Sequence, residues 1–188
     1  MIDQISPGMD TEILDRCLTR IAQGSTDALA ELYEATKTPV YALALSTLKH
    51  IPDSEDVLHD SFLQIWSAAP GYVSQGKPLA WILTITKHLS VQRLRERTRS
   101  QPLSDESWAC ALADCPALSP EDRILLRESM SALSDPEREI LLLHAVSGFR
   151  HREIAAFLSC PLATVLSRYH RALKKLKRAL TKEAEPHD

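Results

Sequence analysis

From residue 162 to residue 180, Leu162, Val165, Tyr169, Ala172 or Leu173, Leu176 and Leu180 recur every three or four positions. That period belongs to a helix with one buried face and is incompatible with a strand, whose faces alternate every two residues. Val57, Leu58, Phe62, Ile65 and Trp66 repeat the spacing, so at least two stretches must bury a helical stripe against a partner element. Five glycines in 188 residues and few β-branched runs also favour helix. The chain reads as all-α, long enough for one or two small domains, each with its own core.

Punctuation residues divide it further. Thr11 to Ala22 reads as a short amphipathic helix ended by Gly24, and Thr26 offers a cap for the helix after it. Pro39 marks a break or a new first turn. Asp53 or Ser54 can cap the helix carrying Phe62 and Trp66, where Trp66 is most simply a core residue. The polar loop "PGYVSQGKP" follows, then a long helix from Leu79 whose first half is apolar and whose end is basic. Residues 101–120 hold three prolines and no sustained period, so they read as a linker between a domain at 1–100 and another at 121–188. Trp108 and Leu112 in this linker have a partner or either domain as docking sites. In the second domain, Ser134 or Asp135 caps a helix with Pro136 in its first turn and Gly148 past its end. "RHREIAAFL", the short break "SCP" and "LATVLSRYHRALKKLKRAL" then suggest a helix-turn-helix, with the small Ala155 where a partner helix approaches closely.

Charge is distributed unevenly. The total is −3, yet residues 1–60 carry −7, 61–100 carry +5, 101–149 carry −6 and 150–188 carry +5. Two basic blocks, each closing a helical segment, fit contact with a polyanion at two places while the acidic parts face something else. On the final helix Thr164, Ser167, Arg168, Arg171 and Lys175 fall opposite the apolar stripe. Hydroxyls and guanidinium groups on an unburied helix face suit a DNA major groove and its phosphates. The Lys-rich end from Lys174 to Lys182 suits phosphate contact without base reading. Acids of another protein are the competing partner for the same face.

Other classes find little support. No apolar run approaches the length of a membrane span, and the opening "MIDQISPGMDTEILDR" lacks the basic-then-apolar order of an export signal, so a cytoplasmic location is expected. Cys17, Cys110, Cys115 and Cys160 are scattered and read as free thiols. Cys110 and Cys115 find no further ligand at zinc-finger spacing. His144, His151 and His170 do not share a helix face, so no metal site and no cofactor are expected. Neither a phosphate-binding loop nor a nucleophile or metalloprotease motif occurs, and the chain does not read as an enzyme.

The motifs together resemble the extracytoplasmic-function sigma factors, the smallest class of bacterial RNA polymerase specificity subunits. The stretch from "ALAELYEATKT" through "DSEDVLHDSFLQIW" to "LRERTR" is similar to their region 2. "LSDPEREILLLHAVSGFRHREIAAFLSCPLATVLSRYHRALKKL" is similar to their region 4. The resemblance implies two small helical domains, a partnership with RNA polymerase core and promoter DNA, and an anti-sigma factor, often membrane-anchored in the family. Asp53, Glu55, Asp56, His59 and Asp60 fall on the polymerase-docking helix, with Leu58 and Phe62 packing. Tyr72, Ser74, Gln75 and Lys77 fall on the loop that captures a flipped minus-10 base. Lys87, His88, Gln92, Arg93 and Arg95 would hold the adjoining strand, and Trp81 is read as core rather than as a stacking platform. Thr164, Ser167, Arg168, His170, Arg171 and Lys175 fall where the family reads the minus-35 element. The sequence departs from the family at Leu166, usually basic; Ser159, often a turn glycine; Arg150, often a capping serine; His59–Asp60, usually Gln-Glu; Pro78, commonly aromatic; and His88, commonly Asn. A stand-alone helix-turn-helix repressor, or a helical adaptor, is the alternative the residues leave open.

Overall fold

The computed structural model describes residues 11–100 and 129–182. Four helices form the first half: α1 (Thr11–Ala22), α2 (Thr26–Leu48), α3 (Ile51–Ala68) and α4 (Pro78–Ser100), with a 3-10 turn at Ala69–Gly71 before the loop 72–77. Among the described residues, three full helices lie in the second: α5 (Asp135–Ala145), α6 (His151–Phe157) and α7 (Leu162–Lys182), with residues 129–131 also helical. No strand occurs among the described residues, in line with the all-α expectation. The expected linker at 101–120, with Cys110, Cys115, Trp108 and Leu112, lies outside the described residues.

Three local expectations are corrected. α2 does not break at Pro39 but continues through it. The proline removes one donor, so the Ala35 carbonyl loses its usual helical partner. Burial of Leu32, Val40 and Leu43 on either side of Pro39, together with packing against α1, α3 and α4, keeps the helix continuous. The cap of α2 is Ser25 rather than Thr26, its hydroxyl accepting from the Ala28 N–H at 3.2 Å. The cap of α3 is His50 rather than Asp53 or Ser54. Its Nδ1 accepts from the Asp53 N–H at 3.3 Å, and Pro52 occupies the first turn.

The first half closes around Leu14, Leu18, Ile21, Leu32, Val40, Leu43, Phe62, Ile65, Ile82 and Leu83. Burying an aliphatic or aromatic side chain of this size contributes about 1.5–3 kcal/mol relative to leaving it exposed. Among the described residues the second half contributes fewer buried side chains. Ile140, Leu143, Phe149, Ile154 and Val165 form its centre, and Ala172 packs with Met130 and Leu133 beside it. Ala172 is fully buried whereas Leu173 is 40% exposed, which settles which of the two belongs to the α7 stripe. A buried Arg138 supports this half: its guanidinium donates to the carbonyls of Met130 (2.9 Å) and Leu133 (2.9 Å) and to Asp135 (3.0 Å).

Between α6 and α7 the chain turns at Ser159, whose φ of 51° lies in the left-handed region that glycine enters without steric cost. The Cys160 N–H returns to the Ala155 carbonyl at 3.0 Å and closes the turn. The two halves touch. α5 packs on α2, Asp135 pairs with Lys49 at 2.8 Å, and Lys87 lies 3.5 Å from Glu139 and over the Phe157 ring at 5.1 Å.

Candidate functional site

Helical spacing places Asp56, His59 and Asp60 on one side of α3, opposite Ser54, Val57, Leu58, Ser61, Phe62 and Ile65, which are buried. Glu55, Asp56, His59 and Asp60 are exposed, while Asp53 is half-buried. The Asp53 carboxylate sits 3.5 Å from Arg97 and the Asp56 carboxylate 2.9 Å from Arg93, so α4 partly neutralises the N-terminal part of the acidic face. His59 donates through Nδ1 to the Glu55 carbonyl at 2.8 Å. Sequence reasoning missed Leu63, which is 67% exposed. It continues the Asp56–His59–Asp60 series by one turn, and an apolar residue on that polar series was the available signal.

Loop residues 72–77 run from the Ala69–Gly71 turn to the start of α4. The Tyr72 ring tilts against Trp81 with centroids 4.8 Å apart. Its hydroxyl donates to Asp15 Oδ1 at 2.5 Å, and the Ser74 hydroxyl donates to Asp15 Oδ2 at 2.8 Å. Burial, then the bond to the Asp15 carboxylate, pushes the Tyr72 phenol up to about 12, so it remains a donor throughout the physiological range. Val73, Gln75 and Lys77 are exposed. Trp81 is half-buried and packs on the main core. The loop and Trp81 form one wall of a cavity of about 1090 Å³, with residues His144 to Arg150 and Phe157 of the second half on the other side.

Along α4, His88, Gln92 and Arg95 are exposed at a spacing that keeps them on one face, and with the half-buried Lys87 they line a depression of about 650 Å³ bounded by Phe157, Leu158 and Ser159. Gln92 is hydrogen-bonded to Glu96 at 3.1 Å. Arg93 does not join this group, because its guanidinium is directed to Asp56 on α3.

On α7, Ser167, His170 and Arg171 are exposed and Thr164 and Arg168 half-buried. Ser167 donates to the Thr164 carbonyl (3.0 Å) and Arg171 Nε to the Ser167 carbonyl (3.3 Å). Leu166 is 36% exposed. Lys175 differs from the rest, since its ammonium donates at 2.7 Å to Glu137, whose side chain is only 5% exposed. Burial alone would raise the Glu137 carboxyl, but Lys175 and the Ser134 N–H hold it at about 2. Lys175 is therefore built into the second half as well as placed on its basic face.

The expectation that the histidines stay apart is corrected in part. His144 on α5 and His151 on α6 stack with ring centroids 4.5 Å apart, and Tyr169 meets both edge-on at 5.0 and 4.6 Å. Packing between separate helices brings them together, which spacing within one helix does not reveal. Burial, then the neighbouring His144 and His170, lowers the His151 ring. Among the described residues no group of three or more His, Cys, Asp or Glu could hold a metal ion, and no helix is long and apolar enough to cross a membrane.

Family comparisons divide the chain in the same order. Sigma-70 region 2 matches residues 32–100 and Sigma-70 region 4 matches residues 123–176. The ECF RNA polymerase sigma factor SigK of Mycobacterium sp. (strain KMS) is 32% identical over 90% of this chain and 92% of the relative. SigK of Mycobacterium ulcerans is 31% identical over 93% and 96%. Among solved structures, the Bartonella quintana sigma factor RpoE, crystallised with the anti-sigma factor NepR, superposes with a TM-score of 0.63 at 21% identity over 81% of this chain and 96% of that one. CnrH in complex with the cytosolic domain of CnrY gives 0.61 at 22% identity over 90% and 98%. These last two show the shared fold. The chain belongs to the sigma-70 family, in its extracytoplasmic-function class. It directs promoter-specific transcription initiation, in a family that is not an enzyme class, and the repressor alternative is not favoured.

Proposed function

We propose that residues 1–100 dock on RNA polymerase core and open the minus-10 element, that residues 101–120 link the halves, and that residues 121–188 read the minus-35 element. The observation that carries this division is the segregation of the exposed groups. α3 carries carboxylates and no Lys or Arg, with Leu63 exposed beside them, whereas Lys and Arg lie on the loop 72–77, α4 and α7, against the single carboxylate Glu96.

Polymerase docking falls on Glu55, Asp56, His59 and Asp60 around Leu63, with Asp53 holding the helix start and Arg97. The charged rim governs encounter, and the leucine supplies apolar area at the centre. At the minus-10 element, Gln75 and Lys77 present polar groups to an extruded base, while Tyr72 and Ser74 shape the loop. Unstacking a base costs a few kcal/mol, offset by the pocket that receives it. Lys87, His88, Gln92 and Arg95 follow the adjoining strand, and Arg93 reaches it only by leaving Asp56. On α7, Thr164, Ser167, Arg168, His170 and Arg171 face the minus-35 element, and Lys175 contributes charge from its position beside Glu137. By likeness to the relative solved with NepR, an anti-sigma factor is the inhibitory partner, and the 1090 Å³ cavity between the halves offers a place for one of its segments. A cytoplasmic site of action follows from partnership with polymerase.

Run-off transcription with purified core tests the scheme. The double variant Asp56→Arg, Asp60→Arg should lose comigration with core and all promoter-dependent product while keeping its melting temperature. Full activity in that variant sinks the docking assignment.

A further inference from the structure

The loop 72–77 is not shaped by its own residues alone. Asp15, on α1 and outside the stretch matched to region 2, receives one loop hydroxyl on each carboxylate oxygen: Tyr72 at 2.5 Å and Ser74 at 2.8 Å, across 57 and 59 residues of sequence. Ser74 in turn accepts from the Gly76 N–H at 3.3 Å, and Gly76 has a φ of 69°. One carboxylate thus fixes the first residue of the loop, its third and, through Ser74, its fifth. Between these anchored side chains, Val73 stands 75% exposed and Gln75 and Lys77 face solvent. α1 itself is immobilised by the buried Leu14, Cys17, Leu18 and Ile21, so the anchor belongs to the core rather than to another loop.

The geometry points to Asp15 as a positioning residue for minus-10 recognition: by tying the half-buried Tyr72 and the exposed Ser74 to α1 it sets the display of Gln75 and Lys77 toward the opened strand. This rests on the assignment of the loop to the minus-10 element. Charge-assisted hydrogen bonds from hydroxyls to a carboxylate are among the stronger ones in proteins, and a preorganised loop spares the ordering that base capture would otherwise require. Asparagine at this position keeps the shape and one acceptor oxygen but cannot accept at its amide nitrogen, so it should release one of the two hydroxyls.

The full chain carrying Asp15→Ala, Asp15→Asn or Ser74→Ala, and separately the double variant Gln75→Ala, Lys77→Ala, is combined with purified polymerase core. Three quantities are read: comigration with core, open-complex formation by permanganate reactivity of unstacked thymines, and the ratio of open complex between the best minus-10 sequence and single-base variants of it. Asp15→Ala should bind core as the unaltered protein does, form about tenfold less open complex and lose about tenfold in the base-variant ratio, with Asp15→Asn and Ser74→Ala intermediate. A merely structural role would lower the yield on every sequence alike and leave the ratio intact, which overturns the inference. If Gln75→Ala, Lys77→Ala flattens the ratio while the Asp15 variants do not, the inference falls and the loop assignment stands. If none of the variants changes the ratio, both fall together.

Discussion

The two halves of this sigma factor support their surfaces differently. In α1–α4 the buried side chains are apolar or hydroxyl-bearing, with Thr36, Ser46, Ser54, Ser61, Thr86 and Ser90 among them and no buried charge among the described residues, and most of the candidate interface residues on α3 and α4 lie outside the core. In α5–α7, among the described residues, charged groups are buried and bear structural load: Arg138 braces two carbonyls and Glu137 is buried beneath Lys175, while the half-buried His144 and His151 stack at the edge. A half of the first kind can change its surface without losing its fold. In the second kind, a cation that the proposal assigns to the DNA face, Lys175, also pairs with a buried carboxylate of the fold.

That contrast is open to direct test. The largest effect should come from Arg138→Ala, which leaves the Met130 and Leu133 carbonyls without their donor and should destabilise α5–α7 by about 3–4 kcal/mol. Hydrogen exchange should show amides of α5–α7 losing protection while those of α1–α4 keep it, and equal loss in both halves would erase the distinction. Next, Lys175→Ala should cost about 2 kcal/mol in thermal unfolding, less than for a fully buried pair because the Lys175 side chain is 41% exposed. Arg171→Ala should leave stability unchanged and instead cost about 1–3 kcal/mol of discrimination at one minus-35 position, measured by promoter competition. A uniform loss on all sequences would make Arg171 a phosphate contact.

Acidification should affect the second half in two steps. His151 has a lowered folded-state value, so the unfolded chain takes up its proton first, and stability should fall as pH drops through the ordinary histidine range near 6.5. Glu137, held at about 2, contributes stability that is present above 4.5 and disappears as pH falls toward 2. A pH series of melting curves on His151→Phe should lack the first step and retain the second. The smallest effect belongs to Ser159→Gly, which relieves a left-handed serine but loosens the unfolded chain, for a net gain below about 1 kcal/mol.

Much of this was legible in the sequence because helical period and punctuation are local. The α3 stripe at Val57, Leu58, Phe62 and Ile65, the Pro136 first turn and the break at 159–161 could all be read from neighbours in the chain, whereas Ser159 stood out as a turn residue only against the family pattern. Long-range facts could not. Nothing near Pro39 announces that surrounding helices keep α2 intact, and nothing near Lys175 announces a buried Glu137 on another helix. The pairing of Arg93 with Asp56 and the stacking of His144 on His151 likewise depend on how helices approach. The candidate site was readable as a set of positions, while the division of those positions between contact and support required the fold.

The tether at Asp15 also constrains how this loop can evolve. Tyr72 has an extended backbone, and its side chain and that of Ser74 two residues on reach one carboxylate, so a one-residue deletion just before Tyr72 would bring Val73 and Gln75 to Asp15 and withdraw the hydroxyls. Length in this segment is thus under tighter restraint than identity: an exchange at Val73 alters one outward position, whereas a lost or gained residue displaces both hydroxyls from Asp15.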